Sequence, residues 1–420
     1  MGRYRKISLK QYDWFSLLLY VILVATGIVL LSTIDSVQNV SLNYAKKQLI
    51  WAIISFFGLI IIYFFNVKKI REWGSLIYLI SIILLAGLFI FGKEVSGAKA
   101  WYRIGSFGFQ PTEFAKLAVA LGLAKLLSER EFSLNHIKNI GKVFILLAIP
   151  VVLILLQPDL GSVLVFSAFV IVLYREGLNG NYIFIVGWLI LLFFLTIKYN
   201  AGFVLWGLII LFMIVATGIY IKMKKHRWNY LFIWFAFMFF SAATVQLTSY
   251  MYHHVLKPHQ QQRIALLLGK ISDDKGVGYH LKQSLIAISN GGWNGQGFKQ
   301  GAQLKGNYIP EQHTDYIFTA LAEQFGWVGS VAFVFIYLVF IIRLYMLAER
   351  QKQKFSRIIG YSLASLLAIH FFINILMVLG LFPVVGIPII FISYGGSSLF
   401  FFSLFLFLFL KFDANRVEEF

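Results

Sequence analysis

Cysteine is missing from all 420 residues. Its absence removes disulfides, thiolate metal sites and a cysteine nucleophile, and leaves the redox compartment undetermined. Charge is scarce as well: 13% of positions are charged, against 59% hydrophobic and 18% aromatic, with a mean hydropathy of +0.78. A soluble domain with that surface would precipitate, so the class is an all-α polytopic membrane protein. Acidic residues are the rarer sign, 18 against 37 basic, for a formal charge of +19. In a soluble domain such a surplus would point to nucleic acid. Here the positives sit mainly in short connections between apolar runs, so they read as topology determinants and anionic-lipid contacts, with no nucleic-acid partner. No Walker motif, zinc-ligand spacing or nucleophile elbow is present.

What is abundant is apolar sequence. Runs fall near 14–34, 46–65, 74–92, 112–128, 142–156, 159–174, 182–197, 202–221, 229–252, 325–348, 358–380 and 390–411. A helix needs about 20 residues to cross the hydrocarbon core, with about 17 as the lower end. Runs 142–156, 159–174 and 182–197 are marginal, so the reading is twelve spans with ten as the lower count. The basic N-terminus precedes a run too long for a signal-peptide core and without a small-residue cleavage site, so that run is expected to stay as a span. Lysine and arginine concentrate in alternate loops, including Arg3 to Lys10, Lys68 to Arg71, Lys222 to Arg227, Arg350 to Arg357 and Lys411 with Arg416. That bias puts both termini in the cytoplasm. Loops 93–111 and 253–324 and the Pro383–Pro388 connection then lie outside, where a substrate is lipid-borne or extracytoplasmic and ATP is not available.

Four polar clusters could carry chemistry. In the first, Trp101 and Tyr102 flanked by Lys99 and Arg103 suit the headgroup zone, and Pro111 opens a helix carrying Glu113 and Lys116 at i,i+3. A charge in the hydrocarbon region costs about 2.5–3.5 kcal/mol on insertion scales, so this pair should either face a polar cavity or form a structural ion pair. The second, Gln157-Pro158-Asp159-Leu160-Gly161, reads foremost as a helix start with Asp159 at the positive end of the dipole. The third is the longest polar stretch, roughly Tyr252 to Gln324. It holds Arg263, Gly276-Val277-Gly278-Tyr279-His280, Ser289-Asn290-Gly291-Gly292 and Pro310-Glu311-Gln312-His313-Thr314-Asp315. Ile264, Leu266, Leu281, Ile286, Ile288, Trp293, Phe298 and Ile317 are expected to anchor it against the membrane domain. Asp315 runs directly into apolar sequence; a carboxylate at a membrane lip serves as a proton acceptor, though an ordinary helix-capping aspartate is the competing reading. The last cluster, Pro383 to Pro388 followed by Ser393-Tyr394-Gly395-Gly396-Ser397-Ser398, implies a broken or re-entrant segment, or close helix packing through small residues.

On these motifs, six in order along nearly the whole chain, the sequence resembles the SEDS family (shape, elongation, division and sporulation proteins). Gly-Ala-Lys-x-Trp, Gln-Pro-Thr-Glu-Phe-Ala-Lys, Gln-Pro-Asp-Leu-Gly, Gly-Val-Gly-Tyr-His, Pro-Glu-Gln-His-Thr-Asp, and Pro-Val-Val-Gly-Ile-Pro with Phe-Ile-Ser-Tyr-Gly-Gly-Ser-Ser carry the likeness. The Pro-Glu-Gln-His-Thr-Asp wording favours the RodA branch, which works in cell elongation, over the division branch. The resemblance implies a SEDS-type bundle and a peptidoglycan glycosyltransferase of the bacterial plasma membrane that polymerises lipid II. It also implies partnership with a class B penicillin-binding protein and with other elongation-complex membrane proteins. Carried onto this chain, the essential carboxylate is Asp315, the loop tryptophan is Trp101 and the helix pair is Glu113 and Lys116; Arg103, Arg263 and His313 are further candidates on the substrate side. Asp315 would be the general base, Lys116, Arg103 and Arg263 the phosphate partners, and Glu113 the group that orients Lys116. A divalent cation, Mg2+ or Mn2+, could share the phosphate role, although no ligand cluster demands one. The chain departs from the family's usual ten spans by apolar length over 182–252, which looks like an added helical pair across 182–221, and by Ser-Asn-Gly-Gly where relatives often have Gly-Ser-Gly-Gly. Two other readings stay open: a lipid II flippase, which intramembrane charges and broken helices also fit, and a non-catalytic scaffold that activates a penicillin-binding partner.

Overall fold

The computed structural model describes residues 11–38, 43–95, 98–104, 107–223, 226–254, 261, 265, 277–309 and 311–416. The chain divides into two compact units, Met1–Leu178 with His280–Phe420 and Asn179–Tyr279. Ten helices among the described residues are long and apolar enough to cross a membrane. The chain is a multi-pass membrane protein, and helices dominate because lipid offers no partners to an open backbone.

The first unit begins with α1 (Trp14–Gln38), α2 (Tyr44–Phe64) and α3 (Val67–Phe91). The Asp35 carboxylate accepts the Tyr44 and Ala45 amides (3.0 and 2.8 Å), supplying two of the partners that the start of α2 lacks. A three-stranded antiparallel sheet follows, β1 (Lys93–Val95), β2 (Ala98–Ile104) and β3 (Phe107–Phe109), in the order β1-β2-β3. It pairs Lys93 with Trp101 and Arg103 with Gly108. The all-helical expectation missed it. Tyr102 moors the sheet to α3, its hydroxyl donating to the Leu84 carbonyl (2.8 Å).

Pro111 then opens α4 (Pro111–Leu127) at a position where its missing N–H costs nothing. Next come α5 (Ile137–Leu155), α6 (Leu160–Val165) and α7 (Ala168–Arg175). Asp159 caps α6, accepting the Ser162 amide and hydroxyl at 3.0 and 2.7 Å, which is the helix-start role its sequence context favours. The helices α4, 17 residues long, and α6 with α7 account for the two apolar runs that fall short of the ten long helices.

In the second unit α8 (Gly180–Tyr199), α9 (Ala201–Lys222) and α10 (Arg227–His254) pack around Leu192, Val204, Leu208, Met238 and Val245. Trp188 Nε1 donates to Ser241 Oγ at 3.0 Å. The 182–221 pair corresponds to α8 and α9.

From His280 onward α11 (Val277–Gly291) belongs to the first unit. The short α12 (Ala302–Lys305), α13 (Ile317–Glu349), α14 (Lys354–Val378) and α15 (Gly396–Asn415) complete it. Of the expected loop anchors Ile317 is buried, but Trp293 and Phe298 are 71% and 48% exposed. The expected anchors Leu281, Ile286 and Ile288 are half-buried, Ile288 against the core, and Ala287, Leu304 and Ile309 are buried beside them. Ile264 and Leu266 lie outside the described residues.

Helix α13 is not continuous. The helix is interrupted at Gly326 (φ 64°, ψ −160°), and the Gly-rich segment fills the break. Gln296 and Gly297 donate to the Glu323 and Gln324 carbonyls (2.9 and 3.1 Å), while Trp327 and Val328 donate to those of Gly292 and Trp293 (2.8 and 3.1 Å). The break leaves no carbonyl or amide stranded at these positions, which lipid would not allow. A side chain at Gly326 would collide with the Gly295 amide.

Candidate active site

The site is built around the irregular segment between α14 and α15. Residues 383–389 are neither helix nor strand, yet Ile387, Ile389, Ile390, Phe391 and Ile392 are buried. Such backbone is tolerated in a membrane protein only if the protein satisfies it. Side chains from three helices do so. Asn374 Nδ2 donates to the Ile387 carbonyl (2.6 Å), His370 Nδ1 meets the Pro388 carbonyl (3.1 Å) and the Tyr337 hydroxyl donates to that of Ile390 (3.2 Å). From α2, Gln48 spans the far end, donating to the Ser393 carbonyl (3.1 Å) and accepting the Gly395 amide (3.3 Å). Gly27 and Gly161 let backbone approach this segment; a Cβ on either would stand 2.6 Å from the Ile392 carbonyl oxygen or 2.7 Å from that of Val385.

Asp315 meets this segment. It is half-buried, directly before Tyr316, the N-cap of α13. Asn374 Nδ2 also donates to its main-chain carbonyl (2.7 Å). A methyl group on Gly386, itself exposed, would stand 3.1 Å from its Oδ2. Gly386 has φ +70°, a conformation suited to glycine.

Glu113 and Lys116 form an ion pair inside the bundle (2.7 Å), 4% and 1% exposed. Lys116 Nζ is also 3.0 Å from His370 Nε2 and lies over the Phe402 ring. The ammonium is thus enclosed by a carboxylate, an imidazole and an aromatic face. A phosphate contact by Lys116 would require these bonds to break in a buried site. Glu113 does orient Lys116, but toward His370.

Of the remaining candidates, His313 meets the irregular segment, while Trp101 and Arg103 lie on β2. Trp101 is half-buried on β2 and packs over Gly108, and Arg103, two residues on, is exposed. His313 stacks on Tyr44 (4.1 Å between ring centres) and its carbonyl accepts the Tyr394 amide (2.9 Å). Burial, with Tyr44 and Asp35 nearby, pushes the Tyr394 hydroxyl above its ordinary range. Arg263 lies outside the described residues. Among the described residues no group of three or more His, Asp or Glu side chains could hold a metal ion. Sequence reasoning missed His370, Asn374 and Gln48. The signal was present for two of them: His370 and Asn374 are i,i+4 polar residues in an apolar run, and an ionisable residue in a span is a functional candidate by default.

A multi-pass helical protein with a carboxylate at the junction of a broken segment defines a class, and comparison with known proteins gives the family. The chain belongs to the FtsW/RodA/SpoVE family of cell cycle proteins, whose model matches residues 11–205 and 188–417. It is 30% identical to the peptidoglycan glycosyltransferase RodA of Treponema pallidum (strain Nichols), over 94% of this chain and 96% of that protein. It is 34% identical to the peptidoglycan glycosyltransferase MrdB of Escherichia coli (strain K12), over 78% and 74%. In fold it is similar to a chain from a study of how a peptidoglycan synthase complex coordinates polymerization and crosslinking. That likeness has a TM-score of 0.71 at 24% identity and covers 97% of this chain and 99% of the other.

Proposed function

We propose that this protein is a peptidoglycan glycosyltransferase that polymerises lipid II, with Asp315 as general base. The observation that carries the assignment is the Asp315 carboxylate beside exposed Gly386, where a side chain would crowd it. In the reaction the 4-hydroxyl oxygen of one sugar attacks the anomeric carbon of another. The new C–O bond forms as the bond to the lipid pyrophosphate breaks, with inversion. The hydroxyl proton passes to Asp315, and undecaprenyl pyrophosphate leaves with the bonding electrons. Arg103 and Arg263 are the cations assigned to the departing phosphates, since a guanidinium presents paired donors to them. Lys116 acts from inside the bundle. Lysine and arginine in alternate loops support cytoplasmic termini and an outward-facing site. A class B penicillin-binding protein that crosslinks the strands is the partner class.

Purified full-length protein and its Asp315→Asn variant, given lipid II in detergent, test the assignment. We expect at least a roughly 100-fold loss of polymer in the variant; equal rates would overturn it. Because detergent has no compartments, polymer made there also excludes a pure flippase. A scaffold predicts that Asp315→Ala supports growth whenever the partner complex assembles.

A further inference from the structure

We infer that His370 is a positioning residue for the transferase: held in one tautomer by the Glu113–Lys116 pair, it fixes the Pro388 carbonyl and with it the segment that borders Asp315. The inference rests on the transferase reading of Asp315.

Geometry carries it. The Glu113 carboxylate lies 2.7 Å from Lys116 Nζ, so the amine donates as an ammonium. An ammonium has no acceptor. The contact at 3.0 Å to His370 Nε2 therefore requires a lone pair on that nitrogen, which places the ring proton on Nδ1. Nδ1–H faces the Pro388 carbonyl at 3.1 Å, an acceptor only. The run from Glu113 Oε1 through Lys116 and His370 to the Pro388 carbonyl is thereby assigned without conflict, while Glu113 Oε2 is buried with no hydrogen-bond partner. The ring is 1% exposed and packs edge-on against Phe402 (5.5 Å between ring centres), which leaves it little room to turn.

One turn further along α14, Asn374 repeats the device. Its amide donates to the Ile387 carbonyl and to the Asp315 main-chain carbonyl at once. His370 and Asn374 thus hold consecutive carbonyls, 388 and 387, from one helix face. The residue just before them, Gly386, is the one that stands against the Asp315 carboxylate. Burying an ion pair is seldom worth its desolvation in stability alone. Here it fixes a proton on the far nitrogen of an imidazole, and so the aim of a loop. A displacement of about 1 Å at a reacting group can cost about 100-fold in rate.

The test uses the full-length protein in detergent with lipid II, and two readouts. Hydrogen–deuterium exchange of residues 384–394 reports the segment directly and needs no activity. Steady-state polymerisation gives kcat and KM. His370→Phe keeps the ring volume but neither bond. It should raise exchange across 384–394 about tenfold, leave α15 unchanged, and lower kcat about 10–100-fold with KM within about twofold. His370→Gln retains an acceptor for Lys116 and a donor for Pro388, and should stay within about threefold of the parent in kcat. If His370→Phe opens the whole bundle, His370→Asn, too short to reach both partners, takes its place with the same local expectation. Unchanged exchange over 384–394 in the Phe or Asn variant overturns the inference, as does a Gln variant as impaired as Phe. Raised exchange in a protein whose parent makes no polymer would instead leave the positioning intact and remove the transferase reading.

Discussion

The helices α9 and α14 are both apolar enough to span a bilayer, but they are buried to opposite degrees. The most apolar stretch of α9 has a mean hydropathy of 2.5 and is 11% buried; that of α14 has 1.9 and is 67% buried. In water the greasier helix would be the interior one. In a bilayer the lipid accepts apolar side chains as readily as a protein core does, so burial is governed by the groups that lipid rejects. On α14 these are Ser356, Ser362, Ser365, His370 and Asn374, all buried. On α9 the two buried residues are Val204 and Leu208. Polar side chains select the interior of this protein, and Asp315 is bonded through its main-chain carbonyl to one of the helices that carry them.

Three substitutions break or sharpen that contrast. The largest effect is expected from Glu113→Gln, which leaves the Lys116 ammonium buried without its counter-ion. Breaking such a pair costs about 3–5 kcal/mol, read as a fall in thermal stability in detergent, and adding Lys116→Met should restore much of it. On α14, Asn374→Leu leaves the Ile387 and Asp315 carbonyls without their donor and should cost about 1–3 kcal/mol for each group. Polymerisation should fall with it. On α9, Ile210→Leu, at an exposed apolar position, should change stability by less than about 0.5 kcal/mol. An α9 variant as damaging as the α14 one would show that apolar contact, rather than polar satisfaction, orders the interior.

Most of the helical layout was legible. The run 112–128 is α4 within one residue, 159–174 is α6 with α7, and 358–380 overlaps most of α14. Hydropathy works there because a helix in the membrane must be predominantly apolar. The sheet was not legible, since strands of three to seven residues in a loop leave little periodic signal. At the site, Asp315 and the proline-rich segment stood out as polar or broken sequence beside apolar runs. The partnership of Lys116 with His370 could not be read, because 254 positions separate them and no local pattern couples two helices so far apart. Glu113 and Lys116 were recognised as a pair by their spacing alone, and the residue that gives the pair its direction was hidden in an apolar run.

The gap in α13 is mended by its neighbour. Residues 292–297 lend two carbonyls and two amides to a helix that has lost its own register at Gly326. Straightening that helix would give it back its internal ladder while orphaning four groups on the glycine-rich stretch. The kink and its splint therefore form one joint, and no single exchange at Gly326 can iron it flat.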